Sequence, residues 1–286
     1  MNKIVVAIDF SECSINAFLH SLPIALNCKS ELILVWVETK INETEKNVSK
    51  LIHHPKDAQA AFESLMAKYK YRHPGIKISW KIRKGKIAKE ITAEAKSVNA
   101  LMIITGTMGS AGFEEFWTGS NATKIISAST CPVITIRGGI DTTRPLRKIL
   151  LPIDSAVETR QKAPFTGQLA KWHRAEVTIL KLYTSRLKAV RQTLDLYAAQ
   201  VAAYFDDEKI KYNLNHVACE NIADATIEYA AKIDANLIAI MTEQETSTVN
   251  LFQGPYAQQI VNHSTIPVLS IHPKDALASG TIWKTF

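Results

Sequence analysis

The chain contains itself twice. KIVVAIDFSECS begins at Lys3 and KILLPIDSAVET at Lys148, which sets Asp154 on Asp9 at an offset of 145 residues. Towards the other end of each copy, CPVITI from Cys131 and IPVLSI from Ile266 match at an offset of 135. Such a repeat restricts a chain of 286 residues to two like domains in tandem, each of ordinary domain size. The second copy is about ten residues shorter, and the loss is expected between its second strand and the helix after it. The seam is RGGIDTTRPLRK, 137–148, whose two glycines and proline suit a linker. The domains are expected at 1–140 and 146–275, with a tail at 276–286.

Each copy alternates apolar runs with amphipathic stretches. In the first, strands are expected at 4–8, 31–38, 77–85, 100–106 and 132–136, and helices at 14–27, 57–72, 87–98 and 120–129. In the second, strands are expected at 148–153, 175–183, 211–218, 236–241 and 267–271, with helices near 158–172, 187–208, 222–233 and 255–263. Runs such as IVVAI are apolar at every position, as in parallel strands covered on both faces. Ser11 offers an N-cap to the first helix. Alternating strands and helices imply βαβ units with right-handed crossovers. The fold class is therefore α/β, with two tandem doubly wound parallel-sheet domains.

Composition narrows the function. Hydrophobic residues make up 47% and charged residues 21%, a globular profile able to bury a core without staples. A net charge of +7, not gathered into a tail, suits anionic ligands better than specific nucleic acid. Cys13, Cys28, Cys131 and Cys219 form no CxxC pair and read as free thiols of a reducing compartment. The apolar run of MNKIVVAIDF ends at Asp9, too short for a signal peptide, and no run approaches a membrane span. A cytoplasmic protein that contacts no membrane is expected. The adjacent His53 and His54 read as solvated residues, and no metal site is expected.

Four of the chain's 11 glycines fall in GTMGSAGFEEFWTGSNATKII, Gly106 to Ile126. Gly106 follows a strand, and Gly119 and Ser120 precede a helix. Ligands of doubly wound sheets bind at the carboxyl ends of strands, where the strand order reverses. A helix start offers unpaired N–H groups and the positive end of a dipole, which suits phosphate. Glycine at 106 and 109 permits a backbone approach that a Cβ would block. The Ser120 hydroxyl can donate to a phosphate or cap its helix, and Asp9 can meet a ligand or brace a turn. Lys84, Lys86 and Lys89 read as a solvated helix start, with one able to face phosphate. The spacing fits neither the P-loop nor the GxGxxG fingerprint.

Gly106-x2-Gly109-x9-Gly119-Ser120 resembles the ATP-binding signature of the universal stress protein family. VAIDFSECS resembles that family's first strand and turn, LILVWVE its second strand and CPVITI its closing strand. The resemblance covers almost the whole chain as two tandem copies. It implies an adenine-nucleotide alpha hydrolase-like, Rossmann-like fold of about five parallel strands per domain, the two domains related by a pseudo-two-fold. The implied cofactor is ATP, with or without Mg2+. Carried over by position, Asp9 resembles the polar anchor near the nucleoside, with Ala7 beside it. Val37 resembles the residue whose backbone reads the adenine edge, and Gly106 would lie near the ribose. Gly109, Gly119, Ser120 and the backbone of Asn121 would hold phosphates, although Asn121 stands where the family often has an aliphatic residue.

The second copy departs from this signature. Aligned on LIAIM, 237–241, Gly106 corresponds to Thr242 and Gly109 to Glu245; aligned on the helix, Gly119 matches Gly254 and Ser120 matches Pro255. A carboxylate repels triphosphate, and proline removes a donor. ATP is therefore expected in domain one, with no typical ATP site in domain two. The resemblance implies that the second copy is an intramolecular partner in a pseudo-dimer through PVITI and PVLSI, with a further homodimer and protein partners left open. The expected function is a stress-response module regulated by bound ATP. The alternatives are a slow ATPase, with Glu114 or Glu115 as base or metal ligand, and a scaffold without nucleotide. No catalytic residue is assigned.

Overall fold

The computed structural model describes residues 1–39, 54–69, 75–107, 120–141, 144–242 and 255–273. The chain divides into two compact units, Met1–Thr143 and Arg144–Phe286.

In the first unit the order is β1 (Asn2–Ala7), α1 (Glu12–Asn27), β2 (Ser30–Glu38), α2 (Pro55–Tyr69), β3 (Ile78–Lys84), α3 (Ile87–Ser97), β4 (Met102–Thr107), α4 (Ser120–Ala128) and β5 (Val133–Arg137). The strands lie side by side as β3-β2-β1-β4-β5, and each neighbouring pair is parallel. The chain runs outward from β1 to β3 and then returns to β4, so the switch point lies between β1 and β4. Ile4, Val5 and Val6 of β1 are fully buried, as are Leu32, Leu34 and Val35 of β2. This is why both strands read as continuous apolar runs. Ser11 caps α1 as expected, its side chain accepting from the Ser14 N–H.

Polar chemistry at the edge of this unit is also ordered. The Glu94 side chain on α3 is buried and bonds Lys81, at 2.7 Å, and Arg83, both from β3. Burial pushes its carboxyl up, but the hydrogen bonds and charges of the two cations outweigh that and hold it below the ordinary value. Glu94→Gln is expected to cost about 1 kcal/mol, read from the urea midpoint. The loss is modest because both cations are more than a third exposed and turn to water.

The second unit repeats the plan with β6 (Lys148–Ile153), α5 (Ala163–His173), β7 (Glu176–Tyr183), α6 (Lys188–Asp207), β8 (Tyr212–Ala218), α7 (Ile222–Lys232), β9 (Leu237–Met241), α8 (Pro255–His263) and β10 (Val268–Ile271). Its order is β8-β7-β6-β9-β10, again parallel throughout. The shortening falls where expected: 184–187 join β7 to α6, whereas 39–54 join β2 to α2. The long α6 buries Leu194, Ala198, Val201 and Phe205, one stripe at helical spacing.

One element differs from expectation. In place of a single helix near 158–172, a 3-10 turn covers Val157–Lys162 and α5 begins at Ala163. Pro164 accounts for the restart: it suits a first turn, while further inside a helix its ring would press on the carbonyl of Arg160.

Candidate functional site

A cavity lies at the switch point of the first unit. Its floor is the carboxyl ends of β1, β2 and β4: Ala7, Ile8, Val35, Trp36, Val37, Thr105 and Gly106. Ile87 and Ile91 of α3 close one side, and Asn121, Ala122 and Ile125 of α4 another. Asp9, Ser11, Cys13 and Ser14 form the rim where β1 turns into α1. The result is an apolar slot with polar groups at its mouth, the arrangement that takes a flat apolar ring and orients it by its substituents.

The rim is a tightly bonded turn. The Ser11 N–H donates to Asp9 Oδ1 at 2.9 Å, and the Asp9 N–H donates to Ser14 Oγ at 3.3 Å. Ser14 Oγ donates onward to the Ser11 carbonyl at 3.0 Å. Asp9 therefore braces the turn with one carboxylate oxygen; its other oxygen has no partner among the described residues. Gly106 answers a different need. A Cβ there would lie 2.7 Å from both the carbonyl carbon and oxygen of Cys13 and 3.0 Å from the Ser14 nitrogen. The backbone that approaches this glycine closely is the first turn of α1.

Of the residues singled out in the sequence, Ala7, Asp9, Val37, Gly106 and Asn121 line this one cavity. Asp9 and Asn121 are exposed, while Val37 is buried. Ser120 begins α4, a nine-residue helix with no acidic residue in its first turn. Gly109 and Gly119 lie outside the described residues, as do Glu114 and Glu115. Lys84, Lys86 and Lys89 do not line the cavity. Lys84 pairs with Glu38 at 3.0 Å with its side chain 75% exposed, so the solvated reading holds for it. Ser14, Thr105, Ile87 and Ile91 also line the cavity and were not among the residues singled out in the sequence. Ser14 carried a signal, since a hydroxyl three residues after an N-cap serine bonds back into the turn. The isoleucines carried none, because they read as core.

The second unit is built differently at its switch point. Strand pairing sets Ile4 beside Met102 and Ile149 beside Leu237, while Gly106 lies beside Ile136 and Met241 beside Ile271. Met241, not Thr242, therefore stands at the place of Gly106, a correction of one residue. Continued along the sequence, the same offset puts Gln244 rather than Glu245 at the place of Gly109, in a stretch outside the described residues. Pro255 begins α8 where Ser120 begins α4. Asp154 keeps the bracing role: its Oδ1 accepts from the Ala156 N–H at 2.8 Å, and its N–H donates to Thr159 Oγ1 at 3.2 Å. Close by, the side chain of Lys162 is fully buried and donates to Thr159 Oγ1 at 3.0 Å. Burial pushes that ammonium down to about 8, against the raising effect of Asp154.

Among the described residues, no group of three His, Cys, Asp or Glu side chains is placed to hold a metal ion. No described helix is long and apolar enough to cross a membrane.

Comparison with known proteins agrees with the duplication. The model of the universal stress protein family matches residues 1–137 and again 145–272. The chain is 28% identical over 148 residues to the universal stress protein YxiE of Bacillus subtilis, covering 48% of this chain and 99% of that one. It is 27% identical over 146 residues to a universal stress protein of Methanocaldococcus jannaschii, covering 47% of this chain and 81% of that one. A universal stress protein from Archaeoglobus fulgidus superposes with a TM-score of 0.75 at 16% identity, over 95% of this chain and 98% of its own. That last likeness is one of fold.

Proposed function

The chain belongs to the universal stress protein family as a tandem member, and from that premise we propose that its first unit binds ATP, with or without Mg2+, and works as a nucleotide-controlled interaction module. One observation carries the reading: five residues carried over from the family resemblance, on β1 and the turn after it, β2, β4 and the start of α4, line a single cavity at the switch point. The residues fit the group. Val35, Val37 and Ile125 offer a purine an apolar lining. The second carboxylate oxygen of Asp9, without a partner among the described residues, is an acceptor for sugar hydroxyls. The first turn of α4 supplies N–H groups to phosphate oxygens, with Ser120 and the Asn121 backbone at its start. Gly109 and Gly119 complete the phosphate cradle in this reading. Bound Mg2+ would neutralise phosphate charge; no residue is assigned to hold it.

The second unit takes no ATP in this reading. Methionine replaces the close-approach glycine, proline replaces the helix-start serine, and the retained Asp154 is accounted for by its turn. One nucleotide per chain is therefore expected, and equilibrium dialysis against labelled ATP checks it. Heat denaturation of the purified protein followed by chromatography identifies what the chain carries: ATP supports the binding module, whereas ADP or AMP supports hydrolysis. Gly119→Val and Gly109→Glu are each expected to lose the nucleotide with an unchanged circular dichroism spectrum. A folded variant that still binds ATP as the unaltered chain does would refute the phosphate assignment.

A further inference from the structure

Six non-glycine residues among those described have positive φ: Phe10, Lys29, Asn99, Arg174, Lys209 and Asp234. The last five each follow closely on the end of a helix, namely α1, α3, α5, α6 and α7. A left-handed residue there is a routine way to end a helix. Phe10, at φ 63, stands instead ahead of a helix, between β1 and α1 in the turn that carries the cavity rim. An L side chain avoids this region, and such a conformation persists only where its surroundings impose it.

The surroundings are aromatic. The Phe10 ring meets Phe62 of α2 edge-on, with centroids 4.8 Å apart. Phe62 in turn is fully buried and stacks on Trp80 of β3 at 5.0 Å and 9°. Phe10 itself is not part of the cavity lining, but its neighbours Asp9 and Ser11 both are.

The second unit supplies the contrast. Ser155 occupies the corresponding place, is exposed and has no positive φ, yet Asp154 makes the same bracing bond. The carboxylate brace therefore does not require the left-handed residue. The platform is absent there too: strand pairing puts Leu214 where Trp80 stands, and it is 44% exposed.

We propose that Phe10 is the positioning residue of the first unit's ligand pocket, its ring anchored on Phe62, which Trp80 backs, so that the turn presents Asp9 and Ser11 to the nucleoside. This rests on the nucleotide reading above. Binding to a turn already fixed avoids the entropy of ordering it, so releasing the anchor weakens binding without removing any group that touches the ligand.

The test measures ATP affinity by calorimetry, well below the melting temperature, for the unaltered chain and for F10Y, F10G and F62L. F10Y keeps the ring and binds within about twofold of the unaltered chain. F10G keeps access to the left-handed region but loses the anchor, and binds roughly tenfold more weakly. F62L alters the platform without changing any residue of the turn or of the cavity lining, and weakens binding in the same direction. If F10G and F62L melt at lower temperature but bind ATP with unchanged affinity, the ring is only core and the proposal fails alone. If the unaltered chain binds no ATP, the nucleotide reading fails and takes this one with it.

Discussion

Lys162→Met will stabilise the second unit at neutral pH, and the advantage will shrink by about 3 kcal/mol as pH is raised from 7 to 11. The cause is the buried ammonium. Lys162 is 0% exposed, and among the described residues the one hydrogen-bond partner of its ammonium is Thr159, a neutral hydroxyl. Burial lowers its folded-state pKa from the ordinary 10.5 to about 8, with Asp154 recovering part of the loss. In the unfolded chain the ordinary value returns. Between the two values the unfolded chain binds more protons than the folded one, so stability rises with pH across that window. Below it the full penalty applies, at about 1.4 kcal/mol for each unit of depression. Methionine is close in shape and carries no charge, and replacing buried ions by apolar groups of similar volume is often stabilising. Urea midpoints of both proteins at stepped pH values supply the measurement, since other groups titrating in this range cancel in the difference. A difference that stays constant from pH 7 to 11 would mean that the lysine is solvated or already neutral.

That lysine also marks where the sequence stops being legible. VETRQK carries three charged residues in six and reads as the solvated start of a helix. Nothing in it says that the last of them turns inward. Pro164 did carry a signal, because proline two residues later is better placed in a first turn than inside a helix. The parallel strands were readable because burial on both faces leaves no polar alternation to confuse them, as in β1 and β4. The start of α1 was readable from Ser11. The register of β9 was not readable from LIAIM alone, since an apolar strand looks the same when slid by one residue. The offset of 135 shown by the closing strands would have fixed it. At the site, the residue types were legible but their causes were only partly so. Asp9 suggested a ligand anchor or a turn brace, and the structure shows the turn that it braces in the first unit and Asp154 in the second. Gly106 suggested room for a ligand, and the structure shows a helix pressed against it. Phe10 suggested nothing, because a left-handed phenylalanine depends on partners far along the sequence at Phe62 and Trp80.

Gly106→Ala is expected to cost about 3 kcal/mol in the stability of the first unit, and Gly106→Val more, enough to threaten the unit's folding. The new Cβ would sit 2.7 Å from the Cys13 carbonyl carbon and oxygen and 3.0 Å from the Ser14 nitrogen. All three are backbone atoms in the first turn of a 16-residue helix, so no side chain can swing aside to admit it. Either α1 lifts from β4 or the strand bends. The second unit has Met241 at this place and no α-helix opening beside it: the segment after β6 runs as a 3-10 turn until α5 starts with Pro164 in its first turn. In the first unit the displaced turn carries Asp9, Ser11, Cys13 and Ser14, which form the cavity rim. A folded Gly106→Ala protein should therefore also bind ATP more weakly, by tenfold or more for a shift of about an ångström. Gly139→Ala is the control: its Cβ meets nothing within 4 Å, so only the cost of φ +79 applies, about 1 kcal/mol. If both alanine variants unfold at the same urea concentration, the contact between Gly106 and α1 carries no special weight, and the glycine must be explained by the ligand alone.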